Sequence, residues 1–406
     1  MLYWLTIFVV WVAVKFSFKS IRINGKENLP KDIPIIFISN HPVGFMEPLV
    51  ISTHLPMQLY YLARGDFFRK PLFRWLLTSI HIYPIYRFRD GFADMRNNES
   101  AIQTAIDFVK SGRNFLVFSE GSTKLQHSIR PIQKGVSRII YDLLLQDPNQ
   151  KVAIVPIGFN DTAMKQLGSH VIVNIGEPIN PSSLFVNEPK KPRFLKALTK
   201  EIETRMYDLV PQLTDNEDED LLTDIIDLNH KDERPFKLMK RYSQKINDLT
   251  TDKKSSLKSA VASLKALLKN NNSTASGLLH KNSIFSWLTL LLGFIPSFIG
   301  WLFNGIPFTL ATIKAKQKVN KPEFYMVIKM VFKMIFFFAW YVLWYLVLKL
   351  IGVPQALLIL ILLIVLGVYY RHYVILAKEK FIYLKGKSIR HEFKSSKAHL
   401  ESILNT

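Results

Sequence analysis

The sequence predicts an α/β fold, with a central mixed β-sheet flanked by helices, followed by a C-terminal α-helical membrane region. Three observations carry that prediction. Between about residues 33 and 213, short β-branched or aromatic runs alternate with amphipathic stretches of helical length. Beyond residue 284 the chain holds long runs without charge. Hydrophobic residues make up 49% of its 406 positions, too many for a disordered or purely nucleic-acid-binding chain.

Charge and cysteine narrow the chemistry. Lys and Arg number 53 against 32 Asp and Glu, a formal net charge of +21. Nucleic acid, anionic lipid headgroups and phosphorylated substrates are the usual acidic counterparts. The apolar residues gather in runs that no soluble core needs, so membrane lipid leads and no nucleic acid is expected. Cys is absent. That excludes disulfides, thiolate nucleophiles and Cys-ligated metal, leaving acid/base or hydroxyl chemistry.

Taken in order, the first eighteen residues, MLYWLTIFVVWVAVKFSF, are apolar apart from Lys15 and lack the marks of a signal peptide. The uncharged stretch from Leu2 to Val14 is shorter than the ~20 residues of a spanning helix. A membrane-embedded helix is therefore expected over 1–23, dipping into one leaflet with Lys15, Lys19, Arg22 and Lys26 at the headgroups. Residues 24–213 form the α/β domain, with strands expected at 33–39, 57–63, 81–87, 114–119, 152–159 and 170–176. Helices are expected near 67–79, 95–111, 134–146 and 191–209.

Residues 214–283 open on DNEDED and read as a charged linker. Leu257, Val261, Leu264, Leu267 and Leu268 mark one amphipathic helix within it. Residues 284–371 read as the membrane region. The run from Ile284 to Ile313 is interrupted by Gly293, Pro296, Gly300, Gly305 and Pro307, which favours a re-entrant or broken helix pair. The runs Met334 to Leu348 and Leu350 to Tyr370 form a hairpin about Gly352, Val353 and Pro354. Lysines and arginines flank that hairpin on both outer sides, so both flanks are expected to be cytoplasmic, as is the α/β domain. The tail, 372–406, is a basic cytoplasmic segment that sets topology. The whole reads as a multi-pass or re-entrant protein of the cell membrane.

Four blocks carry chemistry. FISNHPVGFMEPL ends a strand at Asn40 and His41 and places Glu47 six positions on. A His leaving a strand sits at the carboxyl edge of a sheet, and a carboxylate across a tight loop can hold its Nδ1 and leave Nε2 to take a proton. An ordinary loop histidine beside a helix-start glutamate has the same spacing. Arg87 and Arg89 close a later strand, where a guanidinium fork suits a phosphate monoester, although charges at strand ends are commonly only solvated. NFLVFSEGSTKLQHSIRPIQKG brings Glu120, Gly121 and Ser122 after a strand, then Lys134 and Gly135 at a helix start, a pattern suited to an anion. Pro156 inside IVPIGFN implies an edge, a bulge or the wall of a cavity.

In this order and spacing the blocks resemble the PlsC-like glycerolipid acyltransferase superfamily, over about residues 24–176. The first block matches the form with five residues between His41 and the acid, with Glu47 in place of Asp. The second block's arginine falls on Arg87. The third matches at Phe118, Glu120, Gly121 and Ser122, with Ser119 in place of Pro, Thr123 where Arg can occur, and Lys124 beside it. The fourth block's proline falls on Pro156. The spacing and the long membrane tail resemble the glycerol-3-phosphate or dihydroxyacetone-phosphate acyltransferase-like branch.

The resemblance implies a glycerol-3-phosphate acyltransferase-like fold and direct acyl transfer. His41, oriented by Glu47, would activate an acceptor hydroxyl of glycerol-3-phosphate or lysophosphatidate, or alternatively of a different amphiphilic acceptor. The donor would be acyl-CoA or acyl-ACP. Arg87, Glu120, Gly121, Ser122, Lys124, Lys134 and Pro156 would form the substrate site, with backbone N–H groups near Gly121 or after His41 holding the oxyanion. No metal or cofactor is required. Two competing readings remain. A lipid hydrolase using Ser122 or Ser119 lacks a GxSxG elbow. A transport protein working through its C-terminal hairpin would have only Lys349 as an intramembrane charge.

Overall fold

The computed structural model describes residues 2–85, 95–165, 167–229, 235–280, 283–319 and 321–405. The chain divides into two units, Met1–Gln212 and Leu213–Thr406.

The first unit is built on β1 (Ser20–Asn24), β2 (Ile35–Ser39), β3 (Leu59–Arg64), β4 (Ile82–Ile85), β5 (Asn114–Phe118), β6 (Ala153–Asp161) and β7 (His170–Ile175). These strands form one sheet in the order β1-β7-β6-β2-β5-β3-β4. Its ladders are parallel except β6 with β7, so the sheet is mixed. Every residue of β2 and β6 is buried, as expected for central strands covered on both faces. The flanking helices are α1 (Leu2–Ser17), α2 (Met46–His54), α3 (Pro71–Ser79), α4 (Met95–Lys110), α5 (Gly135–Gln146), α6 (Pro181–Asn187) and α7 (Lys191–Tyr207). Phe108 of α4, Ile140 and Leu143 of α5, and Phe194 and Leu198 of α7 share a core with Ile36, Ile38, Phe115 and Ile154 of the sheet. Burying each such side chain is worth roughly 1.5–3 kcal/mol, which fixes the strand ends that carry the site.

Two boundaries differ from the sequence reading. The N-terminal helix stops at Ser17, and Ser20–Asn24 pairs with β7 from Ser20↔His170 to Asn24↔Asn174, so the sheet begins inside the segment assigned to the membrane. The expected linker 214–283 is folded. Its helices α8 (Glu219–Leu228), α9 (Pro235–Asp248), α10 (Thr251–Asn270) and α11 (Ala275–Leu278) share a core with Phe393 and Leu400 of the expected tail. The acidic string is tied in as well, because buried Asp218 meets Lys254 at 2.8 Å and Lys258 at 3.0 Å.

The rest of the second unit comprises α12 (Ile284–Leu292), α13 (Phe294–Lys318), α14 (Tyr325–Leu350), α15 (Ala356–Lys385) and α16 (Arg390–Leu404). Three of its helical stretches, Phe294–Lys318, Pro322–Leu350 and Ala356–Lys385, are long and apolar enough to cross a membrane. The break between α12 and α13 falls at Gly293. Asn304 ties α13 to both later helices, its Nδ2 donating to the Leu363 carbonyl at 3.1 Å while its Oδ1 accepts from Tyr341 at 2.7 Å. Gly300 is required here, since a side chain on it would collide with the Leu366 backbone.

Candidate active site

The site grows from the carboxyl end of β2, at the centre of the sheet. Asn40 ends the strand with a reciprocal pair to β6, its Nδ2 donating to the Phe159 carbonyl at 2.9 Å and its Oδ1 accepting the Phe159 N–H at 2.7 Å. His41 is thereby held at a fixed point of the sheet edge. Its ring stacks on Phe118 of β5 at 4.2 Å with 21° between planes.

Glu47 is fully buried in the first turn of α2. The helix starts there because the chain reverses through Pro42–Phe45, and that reversal turns the carboxylate back onto the loop. Its Oε1 accepts the Val43 N–H, and its Oε2 lies 3.2 Å from His41 Nδ1, in ion-pair contact but out of line for a full hydrogen bond. Such contacts commonly tighten when substrate binds. The His41 side chain keeps 16% of its surface open, against none for Glu47.

Glu120, two residues past β5, has its carboxylate turned inward. Its Oε2 accepts the His41 backbone N–H at 3.1 Å and Arg130 Nη2 at 2.6 Å, and its Oε1 accepts the Arg130 N–H at 3.0 Å. Arg130 Nη1 also donates to Ser122 Oγ at 2.6 Å. Glu120 is therefore a brace between the His41 loop and the 121–130 loop. Sequence reading missed Arg130, because a pairing across an irregular ten-residue loop has no periodic signature. Arg130→Gln would leave a buried carboxylate without its charge partner, a loss of about 3–5 kcal/mol for a pair of this kind. The expected outcome is a lower melting temperature and a fall in kcat of about a hundredfold, with partial recovery in Arg130→Lys. Thermal melts and steady-state kinetics on the two variants measure both.

Among the described residues, the remaining expected ones lie in the loop after β5, at the start of α5 and in β6. Gly121 takes a left-handed φ of +73°, and its N–H donates to the Phe118 carbonyl at 3.3 Å, so it is already committed and not free for an oxyanion. Lys124 is exposed in the loop, and Lys134 is exposed at the N-cap of α5; neither has an ion-pair partner among the described residues. Pro156 is buried in β6 opposite Ile38. It sits where the β6–β7 pairing is interrupted between the Ile154↔Ile179 bridge and Ile157↔Ile175, its carbonyl accepting the Gly176 N–H at 2.9 Å. β6 is an interior strand, so the irregularity takes the place of the expected edge. Arg87 and Arg89 lie outside the described residues. Neither Ser119 nor Ser122 is hydrogen-bonded to His41: Ser119 Oγ is buried without a partner and Ser122 Oγ is held by Arg130.

A second buried carboxyl, Asp161, closes β6, with Oδ1 accepting the Ala163 N–H at 2.9 Å. Burial above all, with Glu47 adding to it, pushes this carboxyl up to about 7. The unfolded chain releases the proton near 3.8 and the folded chain near 7. Stability therefore falls with rising pH across that window, by roughly 4 kcal/mol in all. Asp161→Asn is expected to raise the melting temperature much more at pH 8 than at pH 4, as melts at the two values would record.

Among the described residues, the His41 imidazole thus has a buried carboxylate beside it, part of its surface open, and no hydrogen bond to a serine. Residues 20–160 match the family model described as Acyltransferase. A 1-acyl-sn-glycerol-3-phosphate acyltransferase of Bacillus subtilis is 26% identical over 198 residues, covering 48% of this chain and 89% of that protein. The chloroplastic 1-acyl-sn-glycerol-3-phosphate acyltransferase of Brassica napus is 25% identical over 171 residues, 41% of this chain and 46% of that one. Glycerol-3-phosphate O-acyltransferase 2 of Saccharomyces cerevisiae is 28% identical over 88 residues, 22% of this chain and 12% of that one. The crystal structure of the 1-acyl-sn-glycerophosphate acyltransferase PlsC from Thermotoga maritima aligns with 49% of this chain and 78% of that chain at 18% identity and a TM-score of 0.36. The first unit carries an O-acyltransferase domain of the PlsC-like superfamily.

Proposed function

We propose that the protein transfers a fatty acyl group from the thioester of acyl-CoA or acyl-ACP to a hydroxyl of glycerol-3-phosphate or lysophosphatidate, at a membrane, with its catalytic domain on the cytoplasmic face. The observation that carries this reading is the 3.2 Å approach of His41 Nδ1 to Glu47 Oε2 at the carboxyl end of the central strand. His41 Nε2 takes the hydroxyl proton as the acceptor oxygen attacks the thioester carbonyl. The tetrahedral oxyanion collapses, the C–S bond breaks, and the thiolate recovers the proton from the imidazolium.

Glu47 holds the imidazole in the working tautomer and offsets the charge that forms on it. For the oxyanion the donor left in the loop is the N–H of Gly44, which is buried and has no partner among the described residues. Arg87, just beyond β4, together with Lys124 and Lys134, receives the acceptor's phosphate in this reading. The three apolar stretches of the second unit and their basic flanks support the membrane assignment and its sidedness.

The test incubates purified protein with acyl-CoA or acyl-ACP and either acceptor, following free thiol and product lipid. Thiol release that requires the acceptor, with the acyl group found on it, is the expected result. Release of free fatty acid at the same rate without acceptor would replace the transferase reading with the hydrolase one.

A further inference from the structure

We propose that α3, together with the aromatic pair Phe45 and Phe67, is a docking surface for an anionic bilayer, through which a lipid substrate reaches His41. None of the nine residues of α3 is buried. Leu72 is 70% exposed, Phe73 50%, Trp75 61% and Leu76 41%, so the first unit's own core gives no reason for their apolar character. Arg69, Lys70 and Arg74 lie on the same stretch, exposed and without carboxylate partners among the described residues. A short helix that pairs bare apolar side chains with cations suits headgroups above and acyl chains below. A second copy of this chain, also at +21, would bring like charge to the same face.

Two further features point the same way. α1 presents Trp4, Leu5 and Phe8 at 59%, 58% and 62% exposure, yet spans only about 24 Å, too little to cross a bilayer. Its amino end is fastened beside the carboxyl end of α3: the Tyr3 ring stacks on His81 at 4.6 Å, and His81 stacks on Tyr60 at 4.4 Å. The amino end of α1, with its exposed Trp4, Leu5 and Phe8, thus lies next to the carboxyl end of α3.

From α3 an apolar path leads back to the site. Phe67, in the turn just before α3, meets Phe45 edge-on at 5.6 Å, and Phe45 follows His41 by four residues. Phe45 holds a left-handed φ of +66° with its side chain 40% exposed. A bulky residue kept in that region and turned outward carries a strain that a bridge for an acyl chain explains.

This inference rests on the proposed acyl transfer for its purpose, but the contact is measured without turnover. Because the chain has no Cys, Trp75→Cys gives the full-length protein a unique thiol for an environment-sensitive fluorophore, with Val186→Cys, 77% exposed on α6, as the reference. In phosphatidylglycerol/phosphatidylcholine vesicles, the label at 75 is expected to be quenched by headgroup-proximal spin-labelled lipid and shielded from iodide, unlike the label at 186. Equal iodide quenching at both positions overturns the proposal. So does shielding at 75 that appears in detergent without anionic lipid and is lost on dilution, since it assigns the face to a second copy. The variant Leu72→Ser/Trp75→Ser is expected to raise the apparent KM for a vesicle-borne acceptor about tenfold, while turnover of a soluble short-chain acceptor is retained. Equal loss on both acceptors overturns the role in substrate access. Shielding at 75 in a protein that transfers no acyl group would leave the docking surface standing and remove the proposed reaction instead.

Discussion

His41→Ala is expected to lower kcat by about 10²- to 10⁴-fold, the usual contribution of a placed general base. The reasoning is local. An acceptor hydroxyl near pH 7 holds its proton, and neither Ser119 nor Ser122 is bonded to the imidazole to share its work. The fold should survive the change. The ring is partly open, its chief packing contact is Phe118, and the backbone N–H that Glu120 accepts at 3.1 Å is still present in alanine. Glu47 also keeps the Val43 N–H. A melting temperature within a few degrees of the parent is therefore expected beside the loss of turnover. Residual acyl transfer above about a tenth of the parent rate would remove His41 from the chemistry and leave it a packing residue.

Much of the fold was legible because its signals are local. IIFIS and the apolar runs within β6 and β7 are buried on both faces, which is what produces such runs. β1 was not, because SIRIN alternates polar and apolar residues and its partner strand lies 150 positions away. The same reason hid the helical core of the second unit. Tyr242 is bound to Glu401, and Leu257 packs in a core that includes Leu400, so the amphipathic pattern of α10 was visible without the surfaces it meets. At the site, spacing gave His41 and Glu47, since one short loop contains both. It pointed to Glu120 without its contacts: Arg130 and the His41 backbone N–H brace that carboxylate, and only the path of the 121–130 loop reveals them.

Glu47→Gln is expected to reduce kcat by about a thousandfold, and Glu47→Asp by about tenfold. The carboxylate has two tasks at once, since one oxygen accepts the Val43 N–H while the other faces His41 Nδ1 at 3.2 Å. Glutamine fills the same volume but has a single acceptor oxygen. If that oxygen stays on Val43, an NH₂ group faces Nδ1 and favours the tautomer with its proton on Nε2, where it cannot take another. If the amide turns over, the NH₂ meets the Val43 N–H, and two donors oppose each other in a site with no access to water. Either way the charge that balances the imidazolium is gone. Aspartate keeps that charge and both acceptors but is one methylene shorter, and α2 holds its backbone in place, so it reaches both partners less well. The order Glu, Asp, Gln in kcat, with acceptor KM nearly constant, separates an orienting charge from simple packing: packing alone would favour glutamine, the closer match in size. Equal kcat for the two variants would show that the carboxylate only shapes the loop.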